Sequence, residues 1–322
     1  MTSSAASILA AIVNTIFQPG FFENEPVYTA LVVGGGAAIV SAIVGVFTVM
    51  RGQSFAGHAL SDVSSAGGAA SFLLGINPLI GFLTMGLLAA GAMEMVHVRN
   101  VRERDLVTGI VMGAGLGLAA LLLYFDVTSH STTGAAITVM FGSMFAIPEA
   151  IIPLALLVGL GALLLVTVIY RPLLLSSIDP ELAAVRGIPV RFVSLLHLLM
   201  LAMAVALSAI AVGAILSTAL LIGPPAIALR LVKRPGQAIV TAVVIGVGST
   251  WAAILLAYDS YYWTPGHGWP VSFFVVTLIL IFYIFASGAR RGKKAKQAAH
   301  TPTPTKSMSS SSGLRGDASN GV

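Results

Sequence analysis

Long apolar runs, each interrupted by a short cluster of polar, charged or turn-forming residues, recur from residue 27 to residue 287. A helix needs about 20 mostly apolar residues to cross the hydrocarbon core of a bilayer. The runs predict crossings near 27–50, 55–75, 78–97, 104–124, 148–170, 190–210, 213–232, 236–257 and 270–287. They do not alternate residue by residue, as the strands of a membrane barrel would. The fold class that follows is all-α: a polytopic membrane protein built as a bundle of eight or nine transmembrane helices.

The count turns on residues 205–231, where no polar connection separates two helices. Gly223-Pro224-Pro225 predicts a broken helix there, because proline lacks an N–H and its ring crowds the preceding turn. Residues 131–146 offer an alternative to crossing, a segment that dips into the membrane. Residues 5–18 are apolar but too short to span comfortably, and no Lys or Arg precedes them as in a secretory signal. They read as a helix lying at the outer interface, within a segment 1–26 that precedes the transmembrane body 27–287.

Composition sharpens this. Of the 322 residues 57% are hydrophobic and only 9% carry charge. Every Lys and Arg falls at Arg51, at 99–104, at 171–191, at 230–234 or in the tail from Arg290. The connections 19–26, 75–78, 124–150 and 257–270 contain none. Such alternation is the positive-inside pattern. It places the basic connections and the C-terminus in the cytoplasm and the N-terminus outside, and it accounts for the net charge of +5 without nucleic acid. The tail 288–322 is basic and then rich in Ser, Thr and Pro, a composition that stays disordered. With no cysteine, any metal meets nitrogen and oxygen donors only. Gly109, Gly113 and Gly117 form a small-residue stripe of the kind that lets membrane helices approach.

Candidate chemistry concentrates in "SFAGHALSDVSSAGG", residues 54–68. At 100° per residue, Ser54, His58, Ser61, Asp62 and Ser65 fall in a wedge of about 100°. Phe55, Ala59, Leu60, Val63 and Ala66 lie opposite. A charged group at mid-bilayer costs at least about 2.5–3.5 kcal/mol, so ionisable residues there are functional candidates by default. His58 and Asp62, one turn apart, present an imidazole nitrogen and a carboxylate on one face. Three readings stay open: a path for a divalent cation lined by the pair and the serine hydroxyls, a proton relay in an ion-gradient-driven secondary transporter, and a hydrogen-bonded tie between helices.

Other polar residues have plainer explanations. Glu94, three residues before His97, neutralises the Arg99–Arg104 cluster, and His197 is a satisfied packing histidine. Asp259 and His267 flank the interfacial aromatics of "YYWTPGHGWP", and Glu149 caps the helix after Pro148. No phosphate-binding loop, zinc-protease pair or nucleophile elbow is present, so the chain reads as non-catalytic. "SSIDPELAAVRGIPVR", residues 176–191, predicts a short helix capped by Asp179-Pro180 and stopped by Gly187.

Four stretches together resemble a known family: "VMRGQSFAGHALSDVSSAGGA" (49–69), "RERDLVTGIVMGAGLGL" (102–118), "IDPELAAVRGIP" (178–189) and "VGAILSTALLIGPPAIALRL" (212–231). In order and spacing they are similar to the permease subunit of ATP-binding-cassette importers for zinc, manganese or ferrous iron in bacterial cell membranes. The resemblance implies a homodimer or paired permease and a separate cytoplasmic ATPase. It also implies an extracytoplasmic metal-binding protein, and a divalent metal as transported substrate rather than a bound cofactor, with zinc favoured. It further implies that Asp179, Pro180, Glu181 and Leu182 form the helix that docks on the ATPase, and that His58 and Asp62 line the cation route. Members of the family usually carry Asp at the position of His58 and His at that of Asp62; here the two are transposed.

Overall fold

In the computed structural model, residues 21, 23–95, 101–130, 133–263 and 268–300 are described. The interfacial helix expected over 5–18, His97, Arg99, His267 and residues 301–322 of the tail lie outside them, whereas residues 288–300, expected to be disordered, continue the last helix. Among the described residues every regular element is helical: α1 (Glu25–Met50), α2 (Ser54–Leu74), α3 (Pro78–Met95), α4 (Val101–His130), α5 (Thr133–Phe141), α6 (Ile152–Ile178), α7 (Pro180–Val185), α8 (Val190–Val212), α9 (Ala214–Leu231), α10 (Pro235–Trp263) and α11 (Val271–His300), with two 3-10 turns before α6.

Eight of these helices are long and apolar enough to cross a membrane. At 1.5 Å per residue the shortest, of 18 residues, spans about 27 Å, close to the hydrocarbon thickness. The ninth long helix, α2, has 21 residues but is too polar to qualify. Its surroundings explain how it is tolerated: 14 of its residues are buried by protein, chiefly α3 and α4, with α8 and α9 alongside. Gly67 and Gly81 bring the backbones of α2 and α3 into direct contact, and a side chain on either would collide with the other.

The break expected at Gly223-Pro224-Pro225 lies elsewhere. α9 runs unbroken through both prolines, and the interruption falls at Gly213, whose φ of 92° ends α8 and starts α9. Pro225 has no N–H to offer the carbonyl of Leu221, four residues earlier. That carbonyl packs instead against Gly45 of α1, where a β-carbon would overlap it. Neighbouring helices that fill in around a freed carbonyl are what lets a membrane helix keep a proline.

α5, nine residues long, is too short to cross; it tucks against α2, α4, α8 and α9. It ends at Gly142 (φ 75°), whose backbone meets that of Gly213. Within the small-residue stripe a β-carbon at Gly113 or Gly117 would meet nothing within 4 Å and one at Gly109 only Phe55 at 3.9 Å; the close approach of α4 to α2 is at Gly115, against Val63.

The connections sort by charge. Residues from the non-basic stretches, including Asn24, Phe141–Phe145, Tyr258 and Trp269, meet around a cavity of about 520 Å³ at one end of the bundle. At the other end Arg51 reaches Ser176, and Arg230 reaches Ser287 while lying over the ring of Tyr283.

A candidate cation route along α2

α2 starts from a tight turn. Arg51 and Gly52 (φ 63°) close α1, and the Gln53 carbonyl accepts the first bond of the new helix from the Gly57 amide at 3.1 Å. His58 follows in the second turn. Its Nε2 lies 3.6 Å from Asp62 Oδ2; the His58 side chain is 43% exposed and that of Asp62 only 8%. The pair thus has an open donor and a sheltered one. Two donors on a tetrahedral ion, each about 2.1 Å from it, stand about 3.4 Å apart, so a small closure of the pair would hold one cation. Among the described residues no group of three or more His, Asp or Glu could hold a metal ion. Two protein ligands favour passage over storage, because a tightly held ion is not released.

The serines of the wedge separate from the pair. Ser61 is fully buried; its hydroxyl lies 2.6 Å from the Ala214 carbonyl and 2.5 Å from Ser217 Oγ, both on α9. Ser65, also buried, donates to the Asp62 carbonyl at 2.6 Å. Only Ser54, at the first position of the helix, is partly exposed. Most of the opposite face is held by protein: Ala59, Leu60, Val63 and Ala66 are buried, whereas Phe55 in the first turn is exposed. Ser217 escaped notice in the sequence because a lone serine in an apolar run carries no local signal; only the helix pairing shows its partner.

His197 is completely buried on α8, with Nε2 3.3 Å from Thr48 Oγ1. The Thr48 hydroxyl donates to the Val44 carbonyl at 3.0 Å, so its oxygen accepts from an Nε2–H. The packing role expected for His197 holds for that nitrogen, whereas Nδ1 is buried without a hydrogen bond. Glu94 sits in the last turn of α3. Glu149 makes no capping bond: it opens a 3-10 turn, and α6 begins at Ile152. Asp259 is buried in the last turn of α10, below exposed Tyr261, Tyr262 and Trp263.

The short helix expected after residue 176 is present as α7. Asp179 Oδ1 accepts from the Leu182 amide at 2.9 Å, Pro180 opens the helix, and Gly187 (φ 78°) follows it. Ala183 anchors α7, while Ile178, Leu182 and Val185 present exposed apolar surface at the basic end of the bundle.

Comparison with known proteins gives a consistent picture. Residues 23–287 match the ABC 3 transport family. The chain is 29% identical over 271 residues to a protein named manganese transport system membrane protein MntC from Listeria monocytogenes, covering 84% of this chain and 94% of that one. It is 32% identical over 263 residues to the manganese import system permease protein ScaB of Streptococcus gordonii, covering 82% and 90%. The high-affinity zinc uptake system membrane protein ZnuB of Haemophilus influenzae is 28% identical over 241 residues, covering 73% and 90%. Among solved structures, PsaBC from Streptococcus pneumoniae in complex with Fab superposes with a TM-score of 0.73 at 27% identity, covering 86% of this chain and 97% of that one.

Proposed function

Since the chain belongs to the ABC 3 transport family of metal-importer permeases, we propose that it conducts a first-row divalent cation past His58 and Asp62 while a separate subunit hydrolyses ATP. The observation that carries this reading is the 3.6 Å approach of an imidazole nitrogen and a sheltered carboxylate oxygen on the one long helix, among the described residues, that is too polar to count as a membrane span by composition.

Manganese and zinc compete for this site in our reading. The relatives' names include both metals. One nitrogen and one oxygen donor accept either ion, with zinc bound more tightly on the ordinary affinity series. The transposed order of His58 and Asp62 keeps both donors on one face at the same spacing, so it changes the sequence of contacts and not their kind.

The basic end of the bundle is cytoplasmic on the positive-inside rule. There α7, with exposed Leu182 and Val185 and exposed Glu181, supplies a docking knob for the ATPase. The opposite end receives the metal from an extracytoplasmic binding protein. A second copy of the chain completes the route: the His58 side chain is almost half exposed in a single chain, and the adjacent α4 is largely uncovered, with Gly113 and Gly117 open.

Uptake of radioactive manganese or zinc into proteoliposomes holding the permease, its ATPase and its loaded binding protein tests this. His58→Ala and Asp62→Asn should each abolish ATP-dependent uptake while the complex still assembles. Unimpaired uptake in both variants would refute the route, and uptake without ATP would refute the importer class.

A further inference from the structure

Three contacts at the C-terminal end of α1 go to the two helices that α7 joins. The Phe47 ring meets Tyr170 of α6 edge-on at 6.0 Å. Thr48 Oγ1 lies 3.3 Å from His197 Nε2 of α8. Arg51 Nη1 donates to Ser176 Oγ of α6 at 2.9 Å. Ser176 is buried and stands three residues before Asp179, the residue that caps α7.

Arg51 also faces the other way. Its Nε donates to Gln53 Oε1 at 3.3 Å, and the Gln53 carbonyl holds the Gly57 amide in the first turn of α2. His58 is the next residue. Only Arg51, Gly52 and Gln53 join α1 to α2, in a turn closed by backbone bonds from Gly52 to Val49 and from Gln53 to Thr48. So short and so bonded a turn has little slack. A displacement of the α6–α7 corner therefore moves Arg51, and moving Arg51 moves the start of the helix that carries His58 and Asp62.

We propose that Arg51 is a positioning residue that links α7 to the cation route, transmitting motion of the ATPase-docking helix to His58 and Asp62 through Ser176 and Gln53. The proposal rests on the permease reading above and adds the connection between its two halves. A hydrogen bond from a charged donor to a buried hydroxyl is stronger than a neutral one, and a linkage of this kind requires a physical contact with two arrangements rather than mere proximity.

The test is the number of metal ions moved per ATP hydrolysed by the full complex in proteoliposomes. Arg51→Gln and Ser176→Ala should each lower that ratio about tenfold, the equilibrium worth of one charge-assisted hydrogen bond. ATP turnover should stay within about twofold of wild type, because no group at the hydrolytic site is touched. The double variant should be no worse than Arg51→Gln alone, since that change already removes the bond that Ser176→Ala removes. Arg51→Lys, which keeps a charged donor, should recover part of the ratio. A wild-type ratio in both single variants, additive losses, or ATP turnover falling in step with uptake would overturn the proposal. Asp62→Asn run alongside separates the two levels. If wild type shows ATP-driven uptake that Asp62→Asn stops, the permease reading stands whatever Arg51 does; if wild type shows none, that reading fails first.

Discussion

The hydroxyl oxygens of Ser61 and Ser217 lie 2.5 Å apart, fully buried, and both also reach the carbonyl of Ala214. Ser61 therefore fastens α2 to the start of α9, beside the ionisable pair but turned away from it. Ser61→Ala leaves Ser217 bonded to Ala214 and should cost about 1 kcal/mol, the net worth of a neutral hydrogen bond. Metal uptake per folded molecule should persist. Thermal unfolding in detergent, paired with an uptake assay, checks both; a total loss of uptake at unchanged stability would make Ser61 a lining residue of the route.

The order of the two ionisable residues can be tested by exchanging them. His58→Asp combined with Asp62→His reverses the order of the two donors and keeps one imidazole and one carboxylate a turn apart. The double variant should transport, whereas either single change, leaving two carboxylates or two imidazoles, should cut uptake at least about tenfold, a loss of roughly 1.4 kcal/mol. Uptake of manganese and zinc by the three variants reads this out.

Competition between the ions follows from the donors. Zinc outranks manganese at a nitrogen–oxygen site of unconstrained geometry. Excess zinc should therefore suppress manganese uptake by the complex, and Asp62→Asn should weaken both. Manganese uptake indifferent to zinc would mean that geometry, not donor chemistry, selects the ion.

Two glycines of positive φ should differ sharply in what they tolerate. At Gly213 (φ 92°) a β-carbon would run into the backbone of Phe141 and Gly142, whereas at Gly52 (φ 63°) it meets nothing within 4 Å. Gly52→Ala carries only the cost of a left-handed residue, about 1–2 kcal/mol. Gly213→Ala adds a backbone clash and should exceed that by about 1–3 kcal/mol. The difference in unfolding temperature between the two variants measures it.

The α7 cap gives a fifth test. Asp179→Ala removes the side-chain acceptor of the Leu182 amide and should cost about 1 kcal/mol locally. Glu181→Lys leaves that cap intact and reverses an exposed charge. Both should weaken the stimulation of ATP hydrolysis by loaded binding protein, with binding of the isolated ATPase to the permease as the direct readout.

The helices were legible in the sequence because lipid demands long apolar runs, and the runs end where Lys, Arg, Gly or Pro must lie. α7 was legible for a local reason: Asp179 and Pro180 start a helix and Gly187 follows it. The prolines of α9 misled because their effect depends on Gly45, some 180 positions away in the chain, which makes room for the Leu221 carbonyl. A period of 100° put Ser61 in one wedge with Asp62 but could not say that α9 would claim the serine and leave the carboxylate. Arg51 read only as a positive charge at the inner face; its bond to Ser176 joins parts of the chain that no local rule relates.

The polarity of α2 bears on how the chain enters its membrane. A segment carrying His58, Asp62 and five serines partitions poorly from the translocon into lipid by itself. It must leave in company, and α3, pressed against it at Gly67 and Gly81, is the nearest escort. Biogenesis would then proceed by hairpin, with His58 and Asp62 committed to the bilayer only once their neighbour has been synthesised.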